Sequence, residues 1–239
     1  MPRRPPAKVI AVAERIAQAP VAATASGTGS EPGAEPPSEV RPRAVVVRPR
    51  GWAKTVTDVL SPGHFVIALP PVIGWYATRP GLSGLAWGLF CAGLAGGVPY
   101  GFVVYAVLRH RVSDIHIRTR QERYVPILVA LGAMGLCVAV LILGSAPRVL
   151  VALLASLLSA IFLGGVITTR WQISGHAAAA AGSVGICALC FGPWVLALSP
   201  LVVLICAARL VLRDHTVPEL VAGVALGAVV CPLVMLAVR

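Results

Sequence analysis

From Leu60 onward the chain is written in long apolar stretches broken by short polar ones, and those breaks set its organisation. A hydrocarbon core about 30 Å thick is crossed by about 20 helical residues. On that ruler seven apolar segments stand out, at 60–78, 82–108, 125–144, 148–169, 176–192, 194–212 and 217–238. None alternates in polarity as a barrel strand would, so each is predicted helical. Pro70 and Pro71 predict a kink in the first. The run Phe191-Gly192-Pro193-Trp194 predicts a turn with an interfacial aromatic between the fifth and sixth. Gly93, Gly96, Gly97 and the run Ala177 to Gly182 supply small residues that let helices approach closely. The expected fold is all-α, a polytopic transmembrane helical bundle of about six or seven spans.

Residues 1–55 read differently. They are rich in Pro, Ala, Glu and Ser, with Gly-Thr-Gly-Ser-Glu-Pro-Gly-Ala-Glu-Pro-Pro-Ser at 27–38. Such a stretch buries too little apolar surface to offset its ordering entropy, so a disordered tail is expected, followed by a membrane domain over 56–239. The apolar stretch after Arg3 and Arg4 is short and broken by Lys8, Glu14 and Arg15, which does not read as a signal peptide. Arg41, Arg43, Arg48, Arg50 and Lys54 lie just ahead of the first span and are expected to hold the tail in the cytoplasm. Composition agrees with a membrane protein: 57% of residues are hydrophobic and 12% charged, far from a soluble globular domain. The net charge of +11 is spread over the tail and short loops rather than one soluble face, which argues against a nucleic-acid partner. All six cysteines fall inside apolar runs and read as small buried residues. Cys187 and Cys190 form a Cys-x-x-Cys without a second pair or a nearby His, so no metal site is expected.

Three polar islands interrupt the apolar sequence. The first, Arg109 to Arg123, carries five arginines against Asp114 and Glu122; the second is Ser174-Gly175-His176; the third runs from Arg209 to Glu219. Pairs of spans separate them, which returns all three to one side of the membrane, the cytoplasmic side by the charge of the first. A charged side chain at bilayer depth costs about 2.5–3.5 kcal/mol, so Arg209 at the end of an apolar run calls for a partner or a task. His215 and Glu219 are four residues apart and share a face if the helix begins near His215. A carboxylate bonded to one ring nitrogen fixes the tautomer and leaves the other nitrogen as a nucleophile or a base. Arg209 offers a planar fork of donors suited to phosphate. Ser174 and the amides around Gly175, at a helix start, suit an anion, and His176 beside them suits proton donation. Singly, each has a plainer reading: arginines near span ends snorkel to headgroups, and Glu219 after Pro218 is a first-turn carboxylate favoured by the helix dipole. Together they point to phosphoryl transfer through a histidine.

The spacing also resembles a known family, the type 2 phosphatidic acid phosphatases, which share their fold and phosphate site with vanadium haloperoxidases. The family's Ser-Arg, five residues, His, three residues, Asp is similar to Ala208-Arg209, five residues, His215, three residues, Glu219. Its Pro-Ser-Gly-His is similar to Ile173-Ser174-Gly175-His176. Its Lys, six residues, Arg-Pro falls on His116, Arg123 and Tyr124, with Arg118 or Arg120 as a substitute cation. The resemblance spans roughly residues 105–235. It implies that His215 is the nucleophile, Glu219 its orienting carboxylate and His176 the acid that protonates the leaving alcohol. It implies further that Arg123, His116, Arg118, Ser174, Gly175 and Arg209 surround the phosphate, with no metal and no cofactor. The expected protein is an integral, plasma-membrane lipid phosphate phosphatase, with phosphatidic acid, phosphatidylglycerol phosphate or a polyprenyl phosphate or diphosphate as substrate and membrane lipids as its surroundings. The alternative is a degenerate protein of the same fold that binds anionic lipid without turnover.

Overall fold

The computed structural model describes residues 51–109 and 124–239. The architecture is all-helical, with no strand among the described residues. In chain order the helices are α1 (Gly51–Val59), α2 (Pro62–Thr78), α3 (Ser83–Cys91), α4 (Val98–Leu108), α5 (Tyr124–Leu143), α6 (Arg148–Thr168), α7 (Gly175–Phe191), α8 (Ser199–Val211) and α9 (Val217–Val238). A π-helical segment, Ala92–Gly97, joins α3 to α4, and a 3-10 turn, Pro193–Leu198, leads into α8. Among the described residues five stretches are long and apolar enough to cross a membrane, six if α1 and α2, bent by 40° at Leu60-Ser61, count as one. Helix α7, with 17 residues, is apolar but shorter. Against the six or seven spans expected, five or six meet the length. The outward faces are apolar as well, as at Leu143, Leu108 and Val203, a surface that water would not tolerate and lipid would.

One departure from the sequence reading stands out. The helical part begins at Gly51, five residues before the boundary expected at 56, because Ala53 and Thr57 lie one turn apart and bury themselves against α8. Pro70 and Pro71 lie inside α2 and are packed against α3: Gly88 sits against the Pro70 carbonyl and the Pro71 Cα. Residues 1–50 of the expected tail lie outside the described residues.

Neighbour contacts fix which end of each helix lies where. Gly74 and Gly84 let α2 and α3 touch backbone to backbone, and Gly63 meets Tyr100 at the other end of α2. Tyr76 of α2 stacks edge-on against Phe191 of α7, with centroids 4.7 Å apart, while Trp87 of α3 caps Gly144 at the end of α5. Gly165, near the end of α6, meets Ile127, near the start of α5. The starts of α2, α5, α7 and α9 and the ends of α4, α6 and α8 therefore gather at one end of the bundle. The core between them is built from Leu, Ile, Met and small residues, with Ile73, Cys91, Met134, Cys137, Leu150, Leu153, Leu154 and Ile186 fully buried.

Helices α7 and α9 form the closest seam. Gly223 and Gly227, four residues apart, let α9 approach the α7 backbone at Ser174 and Ala178, which share the same spacing. A Cβ at Gly223 would stand 2.5 Å from the Ser174 carbonyl oxygen, and one at Gly182 would stand 2.7 Å from the Cys231 sulfur. Small residues one helical turn apart make a flat stripe on each helix, and two flat stripes pack at backbone distance.

Candidate functional site

The third polar island occupies the turn from α8 into α9. Its backbone follows from a Schellman motif: Asp214 N donates to Arg209 O at 3.1 Å and Arg213 N to Leu210 O at 3.0 Å, with Arg213 at φ +57°. That motif bends the chain back over the end of α8. Arg209, in the last turn of α8 and only 6% exposed, then finds Asp214, whose Oδ2 lies 3.1 Å from a terminal guanidinium nitrogen. A buried arginine is retained because a carboxylate meets it in a fixed geometry.

Two residues on, Thr216 and Glu219 open α9 as a capping box, with Pro218 among the first helical positions. The carboxylate of Glu219 reaches back so that Thr216 N donates to Oε2 at 2.9 Å. The same oxygen stands 3.2 Å from Nδ1 of His215, which is 8% exposed. Glu219 is thus both things the sequence allowed, a helix-start carboxylate and an orienter of His215. With Nδ1 protonated and donating to Oε2, the ring's lone pair resides on Nε2.

The second island is the cap of α7. Ser174 is fully buried at the N-cap and its Oγ accepts from Ala177 N at 3.4 Å. Its own amide donates to the Glu219 carbonyl at 3.1 Å, across 45 residues of sequence. That backbone bond ties the second island to the third. Gly175, exposed, is the first residue of α7, with open space where a Cβ would stand. His176, half-buried, follows in the first turn with its Nε2 beneath the surface.

The arrangement therefore brings Ser174, Glu219 and His215 together through hydrogen bonds, and Arg209 onto the same turn as His215. Of the first island, His116, Arg118 and Arg123 lie outside the described residues. The helices that flank it, α4 ending at Leu108 and α5 beginning at Tyr124, end at the face that holds the other two islands. Three residues that position the site were missed in the sequence. Gly223 permits the Ser174 contact, Asp214 holds Arg209, and Thr216 opens α9. The Gly223/Gly227 spacing was the signal for the first, and Thr-x-x-Glu at 216–219 for the third. Among the described residues, no group of three or more His, Cys, Asp and Glu side chains is placed to hold a metal ion.

Fold and site together define a class: an all-helical protein whose long apolar helices suit a membrane, with buried Arg209 and His215 and their half-buried partners Asp214 and Glu219 clustered at one end. Compared with family models, curated proteins and solved structures, the chain matches none of them.

Proposed function

We propose that this is an integral membrane phosphatase that hydrolyses a lipid phosphate through a phosphohistidine. The observation that carries the reading is Glu219. Its side chain stands 3.2 Å from His215 Nδ1, while its main-chain carbonyl accepts the Ser174 amide, so one residue joins the nucleophile to the anion cradle. In the first step the Nε2 lone pair of His215 attacks phosphorus, the bond from phosphorus to the lipid oxygen breaks, and His176 gives that oxygen a proton. In the second, water attacks the phosphohistidine, His176 takes a proton from the water, and the N–P bond breaks to release inorganic phosphate. Arg209, the Ser174 hydroxyl and the Gly175 amide hold the phosphate oxygens, with Arg123, His116 and Arg118 as the further cations of the scheme. Preorganised donors of this kind supply most of the stabilisation in phosphoryl transfer. The scheme uses no metal ion, and the charge of residues 109–123 in the sequence favours the cytoplasmic side for the site.

One observation favours a second reading, in which the protein binds anionic lipid without turning it over: Asp214 already occupies a terminal nitrogen of Arg209 at 3.1 Å. Purified full-length protein in detergent distinguishes the two. Phosphatase action predicts phosphate release from a panel of lipid phosphates in the presence of chelator, inhibition by vanadate, and loss of release in His215→Ala. Retained lipid binding with no release from any member of the panel would establish the second reading instead.

A further inference from the structure

Away from the polar turn, helices α2, α6, α7 and α9 border an apolar cleft of about 260 Å³. Among the described residues no charged side chain lines it. Gly164 and Gly165 of α6 and Ala178 and Ala179 of α7 give it small-residue walls, and a Cβ at Gly164 would stand 3.4 Å from Leu226 Cδ2. Ser183 of α7 lines the same cleft, is 4% exposed, and among the described residues its Oγ has no hydrogen-bond partner. A serine in an apolar helix can satisfy itself on the carbonyl one turn back. Ser156 of α6 does so, donating to Ala152 O at 2.7 Å, whereas Ser183 does not. Ser183 is the middle residue of α7, which runs from Gly175 to Phe191, so it lies about 12 Å from either end at 1.5 Å per residue. Its hydroxyl therefore sits near the midplane of a bilayer around the bundle.

We propose that this cleft binds an uncharged lipophilic ring bearing a carbonyl, as in a quinone, whose oxygen accepts a hydrogen bond from Ser183. The site is separate from the polar turn and stands whether or not the protein is a phosphatase. A buried hydroxyl without a partner is unfavourable, so a ligand that supplies an acceptor is selected over one that supplies only carbon. Phospholipids hold their headgroups and ester carbonyls at the interface, about 15 Å from the midplane of a 30 Å core, and their chains bring only carbon to Ser183. An acceptor at that depth belongs to a molecule with no anchoring headgroup. A charged one is excluded, because no counter-charge lines the cleft. At roughly 30 Å³ per heavy atom, about the share of one water molecule, the cleft takes ~9 heavy atoms, the size of one substituted six-membered ring. Glycine and alanine walls suit a flat ring, and Phe65 adds an aromatic face. The other heteroatom side chains of the cleft are Thr168, at the site end of α6, and Cys231, whose Sγ lies 3.9 Å from the Ser156 carbonyl.

The test uses full-length protein in phosphatidylcholine nanodiscs with three probes: a decyl-substituted benzoquinone, decylbenzene, which has the same shape without an acceptor, and an open-chain ester of equal carbon number. Native mass spectrometry is expected to show one quinone per chain, held about tenfold more tightly than either other probe, the ratio one hydrogen bond supplies. Infrared spectra of quinone labelled with carbon-13 at the carbonyl should show one stretch moved to lower frequency in the protein relative to empty nanodiscs. Ser183→Ala should abolish that movement and weaken the quinone about tenfold without lowering the thermal midpoint, since the hydroxyl has no bond to lose. Ser183→Thr keeps a hydroxyl and should retain the infrared movement. Ala179→Leu fills the cleft and should remove quinone binding altogether. His215→Ala should bind the quinone as wild type does, so failure of the phosphatase reading and failure of this one are read separately. Equal retention of quinone and decylbenzene would show that the cleft holds bulk apolar chain, and overturns the proposal. So does tighter binding of the ester, a carbonyl stretch unmoved in wild type, or quinone binding indifferent to Ser183→Ala.

Discussion

Gly223→Ala tests how the two halves of the site are joined. The added methyl carbon would lie 2.5 Å from the Ser174 carbonyl oxygen and 3.3 Å from the Ala177 Cβ. Neither neighbour is a flexible side-chain end; one is main chain and the other the stub of a helical alanine. Restoring an ordinary contact near 3.4 Å requires about 0.9 Å of separation between α7 and α9. The same movement lengthens the 3.1 Å bond from Ser174 N to Glu219 O beyond hydrogen-bonding reach. Overpacking of this kind destabilises by about 1–3 kcal/mol. A displacement near 1 Å between groups that act together costs about a hundredfold in rate. The expected result is a lower midpoint of thermal unfolding in detergent, faster amide exchange at Ser174, and a fall in kcat of about two orders of magnitude. Gly132→Ala is the control, since nothing lies within 4 Å of a Cβ there, and it should behave as wild type. If Gly223→Ala melts, exchanges and turns over like wild type, the backbone seam does not hold the site together and the reasoning fails.

The turn between α8 and α9 supports three further predictions. Arg213 sits at φ +57°, a conformation that costs an L-residue about 1–2 kcal/mol, so Arg213→Gly should raise the thermal midpoint while leaving phosphate release near wild type. Asp214→Ala removes the 3.1 Å partner of a guanidinium that is 7% exposed; a loss of about 1.5–3 kcal/mol is expected in thermal unfolding, with a raised KM as Arg209 loses its aim. A lowered KM there would favour Asp214 as a competitor of phosphate. Thr216→Val keeps the main-chain bond to Glu219 but removes the hydroxyl half of the capping box; it should cost about 0.5–2 kcal/mol as a lost cap, and should depress kcat if that half also holds Glu219 against His215.

The helices were legible because a membrane demands long apolar runs, and the expected 217–238 and 148–169 coincide within a residue with Val217–Val238 and Arg148–Thr168. The packing was less so. In lipid the outer face of a helix is as apolar as the inner, so periodicity does not say which side faces the core; Leu143, 85% exposed, and Leu150, fully buried, are the same residue type. Small residues at fours are the remaining signal, and Gly223, Gly227 and Ser174, Ala178, Gly182 carried it. Helix α1 was not legible because its burial depends on α8, more than 140 residues away. The pairing of His215 with Glu219 was readable from their spacing of four. The bond from Ser174 to Glu219 was not, since a main-chain amide leaves no mark in the sequence.

The stripe of Gly223 and Gly227 against Ser174, Ala178 and Gly182 also limits how a bilayer molecule can get in. Helices in van der Waals contact through their main chains have no side chains to swing aside, so that wall stays shut on the timescale of lipid diffusion. On the proposed function, admission would fall to the opposite wall, where the first turns of α2 and the last turns of α6 face each other across an apolar cleft of about 260 Å³ lined by Phe65 and Gly164. A covalent staple across that doorway should shut out long-chain lipids while a short, water-soluble phosphate ester still reaches His215.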